Sequence, residues 1–168
     1  MIVQKKICLL GAYAVGKTSL IRRFVERMFD ERYFTTVGVR IDKKELSLDG
    51  HDVTMMVWDL AGEDDVTRVD LRRCKGASGL VFVADGCRAH TLETAVRLAA
   101  EAEAFAGSVP CVLAVNKVDL AAEWEVEESR LDDLAARGWK IVRTSAKTGH
   151  NVDPMFETLA REMLPGAD

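Results

Sequence analysis

Three runs in this chain carry residue types that handle phosphate and a nucleobase. Gly11-Ala12-Tyr13-Ala14-Val15-Gly16-Lys17-Thr18 fits G-x-x-x-x-G-K-[ST] at every position. In such a loop successive backbone N–H groups face an anion, and a helix beginning near Lys17 adds its positive end. Gly11, Ala14, Val15, Gly16 and Ser19 are therefore expected around phosphate. The Lys17 ammonium should reach the β- and γ-phosphates, and the Thr18 hydroxyl should ligate Mg²⁺. A structural turn could match the same pattern. The apolar run KICLL before it and the amphipathic run after it favour phosphate binding.

The phosphate loop does not choose a base. Asn116-Lys117-Val118-Asp119 closes the apolar run PCVLAVN, at the end of a strand where open α/β sheets bind ligands. A carboxylate accepts two hydrogen bonds only from a ring with adjacent N–H donors. Guanine has N1–H beside its exocyclic amine, and adenine has no such pair. Asp119 is the candidate discriminator, with Asn116 bracing the loop and the Lys117 stem lying over the ring. Thr144-Ser145-Ala146-Lys147 follows another strand and offers a backbone N–H to guanine O6.

Two further pieces lie between these runs. Asp59-Leu60-Ala61-Gly62 follows the apolar Met55-Met56-Val57-Trp58. Asp59 could hold Mg²⁺ through water, and the Gly62 N–H could face the γ-phosphate. Thr36 sits in Tyr33-Phe34-Thr35-Thr36-Val37-Gly38, read as a loop, and could complete the metal shell only while that phosphate is present. Loops ordered by γ-phosphate and Mg²⁺ are released on hydrolysis, which makes a switch.

The elements that must position these residues follow from patterning. Continuous apolar runs at KICLL, GLVFVAD and PCVLAVN predict buried parallel strands. Residues 39–58 read as two strands around the turn dipeptide Asp49-Gly50, so one strand should run antiparallel at an edge. Helical spacing recurs at Leu20, Ile21, Phe24, Val25 and Met28, and at Val152, Met155, Phe156, Leu159 and Met163. Residues 91–106 and 126–136 are also read as helices. Asn151 is read as the cap of the last helix, with Pro154 in its first turn.

The bulk numbers narrow the choice. The 168 residues suit one domain, and a net charge of −4 argues against a basic nucleic-acid face. Cys8, Cys74, Cys87 and Cys111 show no metal-type spacing and are read as buried, reduced thiols. No run reaches the length of a membrane span, and no lipidation pattern is present.

Together these motifs make the chain resemble a small GTPase of the Ras superfamily. Residues 33–39 and the NKVDL run look most like Rab and Ras members. The Ala14–Thr18 half of the phosphate loop looks more like the Rho branch, and no subfamily is assigned. The resemblance implies a P-loop NTPase fold: an α/β three-layer arrangement, with a six-stranded, mostly parallel sheet, one antiparallel edge strand and about five helices. It implies a single G domain over 1–168, with switch I at about 29–40 and switch II at about 59–75. GTP, GDP and Mg²⁺ are the implied ligands. Phe29 would pack edge-on to guanine, and Tyr33 would close over the phosphates. Effector, exchange and activating proteins would bind the switch regions of a cytoplasmic monomer with no direct membrane anchor. The alternatives are a GTP-binding scaffold with negligible turnover, or a G domain excised from a larger protein.

Two residues depart from the family pattern. Glu63 stands where a glutamine usually orients the attacking water. An ionised carboxylate only accepts hydrogen bonds and adds negative charge near the γ-phosphate. Glu63 either supports turnover as a base or water anchor, or swings away and slows it, and slow but non-zero hydrolysis is expected. Tyr13 replaces a glycine or small residue. Its backbone is expected still to serve phosphate, while its ring goes outward, either to lean on the surface without effect or to crowd the space where an arginine from an activating protein would enter. Arg68, Arg72 and Arg73 are placed on a switch II helix as solvated residues, with a partner patch or an internal arginine finger as alternatives.

Overall fold

The computed structural model describes residues 2–25, 32–36 (backbone only) and 39–166. Strand β1 (Ile2–Gly11) leads through the phosphate loop into helix α1 (Lys17–Val25). Strands β2 (Arg32–Thr36), β3 (Val39–Leu48) and β4 (His51–Leu60) follow. Then come β5 (Gly79–Asp85), α2 (Ala89–Ala106), β6 (Cys111–Asn116), α3 (Glu128–Ala136), β7 (Ile141–Arg143) and α4 (Val152–Glu162). Short 3₁₀ turns occupy Leu71–Cys74 and Ala121–Glu123.

The sheet order is β2-β3-β4-β1-β5-β6-β7. Pairing is parallel from β4 through β7, and β3 runs antiparallel to β4. This is the α/β fold read from the sequence. Arg32–Thr36 adds a seventh strand outside β3, with a shift in register between Phe34 and Thr36. Thr36 is therefore on a strand and not in a loop. The edge of β3 offers unpaired N–H and C=O groups, and the aromatic, β-branched run Tyr33–Thr36 suits them. The side chains of Tyr33 and Thr36, and all of Phe29, lie outside the described residues.

Alternation along the central strands explains their continuous apolarity. Ile7 and Leu9 face one layer, with Leu20, Ile21 and Phe24 of α1 and Val152, Met155, Phe156 and Leu159 of α4. Cys8 and Leu10 face the other, with Leu92, Ala95 and Leu98 of α2 and Leu131 and Leu134 of α3. Both faces are covered, so both must be apolar. Phe24 stacks on Phe156 at a centroid separation of 4.2 Å and joins α1 to α4. At the β3–β4 hairpin, Asp49 and Gly50 have φ of 50° and 79°, the pair of positive values a type I′ turn needs.

Three local expectations are corrected in whole or in part. The arginine-bearing stretch of switch II holds only the 3₁₀ turn. Asp64 Oδ1 accepts from the N–H groups of Val66 and Thr67 at 2.8 and 2.6 Å, and Asp70 Oδ1 accepts from Arg72 N–H at 3.3 Å. The Asp64 bonds compete with a helical backbone, whereas the Asp70 bond caps the short 3₁₀ turn. Asn151 holds the N-cap position of α4, its carbonyl accepting from Met155 N–H at 3.2 Å, but its side chain makes no capping bond. The residue is left-handed (φ 59°), and its amide donates to the Arg143 carbonyl at 2.9 Å. The four cysteines are free, yet only Cys8 and Cys74 are buried. Cys87 is partly exposed, and Cys111, at the start of β6, is exposed.

Candidate nucleotide site

The chain winds from β1 toward β3 and β4 on one side and from β5 toward β7 on the other. The C-terminal end of β1 lies at that topological switch point, and the phosphate loop leaves from it. Gly11 closes β1 so near the Val83 carbonyl that a Cβ there would lie 2.4 Å from its oxygen. Ala14 (φ 61°) and Gly16 (φ 103°) are left-handed, and such reversals form the concave run of N–H groups that holds anions. The price is steric fit at Gly16, where a Cβ would sit 2.3 Å from Asn116 Nδ2.

Lys17 is the first residue of α1 and is buried. Its ammonium donates to the Ala12 carbonyl at 3.2 Å. Burial pushes its pKa below the usual lysine value, although Asp59 partly opposes this. An anion beside that ammonium would relieve the desolvation. Thr18 Oγ1 donates to Asp59 Oδ2 at 2.5 Å. Burial raises the Asp59 pKa, while Thr18, Lys17 and Arg40 pull it down. A hydroxyl and a buried carboxylate this close fit a small hard cation. Among the described residues no cluster of three His, Cys, Asp or Glu could hold a metal ion by itself.

The side of the cleft expected to meet the base is built from three loops. Asn116 ends β6, donating through Nδ2 to the Val15 carbonyl at 3.0 Å. Its Oδ1 accepts from Thr144 Oγ1 at 3.1 Å and from the Ala146 N–H at 3.3 Å. Ser145 Oγ donates to Asp119 Oδ1 at 2.7 Å, which orients the carboxylate. Gly16, Ser19, Asn116, Lys117, Asp119, Ala146 and Lys147 line one cleft of about 480 Å³ together with Leu120. The cleft thus draws on residues more than a hundred positions apart.

Residues 6–165 match the family model described as the Ras family. The chain belongs to that family. It is a Ras-superfamily small GTPase, and relatives agree. It is similar to Ras-related protein Rab-13 of Bos taurus, 32% identical over 161 residues that cover 95% of this chain and 79% of the relative. Ras-related protein Rab-8B of Homo sapiens is 31% identical over 161 residues, covering 95% and 78%. Ras-related protein Rab-8 of Diplobatis ommata is 31% identical over 161 residues, covering 95% and 77%.

Within this small GTPase the switch II entry folds onto the phosphate loop. Gly62 comes so close that a Cβ would lie 2.7 Å from Tyr13 Cα and 3.0 Å from Lys17 Nζ. Glu63 N–H donates to the Gly11 carbonyl at 3.1 Å, and Tyr13 N–H donates to the Glu63 carbonyl at 2.8 Å. The Tyr13 N–H was expected at phosphate, but it is spent on switch II. The ring of Tyr13 is outward, the residue being 65% exposed. The Glu63 side chain is buried and ion-paired with Arg97 and Arg68. Arg72 and Arg73 instead pair with Asp70, at 2.9 and 3.7 Å.

Sequence reasoning missed Asp85, Arg88 and Arg97. Asp85 had a signal, since it ends the apolar run GLVFVAD as Asn116 ends PCVLAVN. The two are neighbours in the sheet register. Arg97 had none, because its partner Glu63 is 34 residues away.

Proposed function

We propose that this small GTPase holds GTP or GDP with Mg²⁺ in the cleft and hydrolyses GTP slowly unless stimulated. Gly11, Ala14, Val15, Gly16, Lys17, Thr18 and Ser19 would hold the phosphates. Asn116, Lys117, Asp119, Ser145, Ala146 and Lys147 would hold guanine, with Phe29 and Tyr33 closing over the ligand. Thr18, Thr36 and, through water, Asp59 would hold Mg²⁺, which neutralises charge on the phosphate oxygens when bound. Lys17 offsets the charge that develops on the terminal phosphate, and the Gly62 N–H and Thr36 sense its presence.

Slow turnover is supported by the state of Glu63. Its carboxylate is occupied by Arg97 and Arg68, and it has no proton to donate to a water. Positioning of the nucleotide remains and sustains a low rate. Switch I (29–40) and switch II (59–75) bind effector, exchange and activating proteins of a cytoplasmic monomer. Among the described residues no helix is long and apolar enough to cross a membrane.

Purified protein should carry guanine nucleotide, and a single-turnover time course with GTP should show slow, complete conversion to GDP. No conversion over many hours would replace the switch with a GTP-binding scaffold. Absence of guanine-nucleotide binding would remove both readings.

A further inference from the structure

Asp85 ends β5 with its carboxylate buried, and two cations converge on one of its oxygens. Lys117 Nζ lies 2.8 Å and Arg88 Nε 3.0 Å from Oδ2, while Oδ1 accepts from the Cys87 N–H at 2.9 Å. Burial alone would push this carboxyl up, yet Lys117, the Cys87 N–H and Arg88 hold it below its ordinary value. The backbone at this point is also fixed, because Asp85 N–H donates to Thr91 Oγ1 at 2.8 Å, in the first turn of α2.

Each cation then continues to the phosphate loop. Lys117 Nζ donates to the Ala14 carbonyl at 3.3 Å. Arg88 Nη2 donates to the Tyr13 carbonyl at 2.8 Å. Consecutive carbonyls of the loop crest are thus tied, through one buried anion, to the base-binding loop and to the start of α2. Asp85 and Arg88 do not line the cleft themselves. Charge-assisted bonds of this kind are stronger than neutral ones, and poor solvation around Asp85 strengthens them further.

We propose that Asp85 and Arg88 are positioning residues forming a nucleotide-retention clamp, which holds the phosphate loop against the base loop and sets the rate of nucleotide release. The clamp rests on the reading of the cleft as the guanine-nucleotide site. A bound nucleotide spans both loops, so its departure requires them to part. Parting them breaks the Arg88–Tyr13 bond and strains the Asp85 bridge. Base preference is unaffected, because neither residue meets the base.

The test is the dissociation rate of a fluorescent GDP, chased with excess unlabelled GDP in Mg²⁺, for wild type, Arg88→Met, Arg88→Lys and Asp85→Asn. Arg88→Met and Asp85→Asn should release GDP roughly tenfold faster. Arg88→Lys should fall between, since one ammonium can reach only one of the two partners well. The double variant should release no faster than Asp85→Asn, because both changes open the same bridge. Arg88 is partly exposed, so Arg88→Met carries the test even if Asp85→Asn does not fold. Wild-type release rates in Arg88→Met, with or without a lower melting temperature, would leave the bridge merely structural and overturn the clamp alone. If wild type binds no GDP, the nucleotide reading falls and the clamp with it.

Discussion

The carboxylate of Glu63 is ion-paired with Arg97 of α2, and Arg68 approaches the same oxygen at 3.3 Å. The Glu63 side chain is only 6% exposed, and its backbone is bonded to both Gly11 and Tyr13. The residue that stands in the water-orienting position of the family is thus tied to the phosphate loop by its main chain and to the opposite helix by its side chain. Charge repulsion from a phosphate is not needed to turn it away; two arginines already hold it.

Glu63→Gln should free that side chain. A neutral amide loses most of its attraction to Arg97 and Arg68, and it can both accept from and donate to water. Single-turnover GTP hydrolysis should rise on the order of tenfold, a barrier change of about 1.4 kcal/mol. The stability cost should be about 1 kcal/mol or less, since Arg97 and Arg68 are 41% and 74% exposed and can return to water. A fall in rate would instead give Glu63 a positive role in turnover.

Gly16→Ala should abolish tight nucleotide binding. Its backbone is left-handed, costing roughly 1–2 kcal/mol for a residue with a Cβ. That Cβ would also displace the Asn116 amide from the Val15 carbonyl, breaking the brace between the phosphate and base loops. Equilibrium titration with labelled GDP measures the loss. Binding within a few-fold of wild type would show that the brace is dispensable.

Ser145→Ala removes the hydroxyl that orients Asp119. The lost bond is worth about 1 kcal/mol, so affinity for GDP should fall roughly fivefold. Discrimination against ATP should weaken with it, because the carboxylate is no longer fixed in the plane of its partner. Competition of labelled GDP with unlabelled GDP and ATP reads both effects.

Gly86→Ala tests the packing just beyond Asp85. A Cβ there would lie 2.0 Å from the Trp124 ring, which must move. Overpacking of this kind costs about 1–3 kcal/mol, visible as a lower denaturation midpoint. Tryptophan emission should shift red as Trp124, partly buried now, meets more water. Unchanged stability and emission would mean that the ring has an alternative seat nearby.

Much of the fold was legible because its signals are local. Continuous apolarity in KICLL, GLVFVAD and PCVLAVN marks strands covered on both faces, and Asp49-Gly50 supplies the two left-handed residues of its turn. The Arg68–Arg73 stretch was misread for the complementary reason. Asp64 satisfies nearby N–H groups from its own side chain, which outweighs helix propensity over a few residues, and Asp70 caps only a short 3₁₀ turn. Thr36 was placed in a loop because pairing with β3 depends on an edge that no local pattern announces.

The sequence by itself determined which groups are on offer: the G-x-x-x-x-G-K-[ST] loop at 11–18, the Asp119 carboxylate, and the Thr18 hydroxyl and Asp59 carboxylate. These depend on residue type and short spacing, which the chain displays directly. Tertiary structure alone decided who restrains them. Arg97 meets Glu63 across 34 positions, and Arg88 meets Tyr13 across 75. Such pairs form only because β1 and β5 are neighbours and α2 lies across one face of the sheet. A charge on a sequence has no partner until packing removes the water around it, and removal of water is what makes the choice of partner matter.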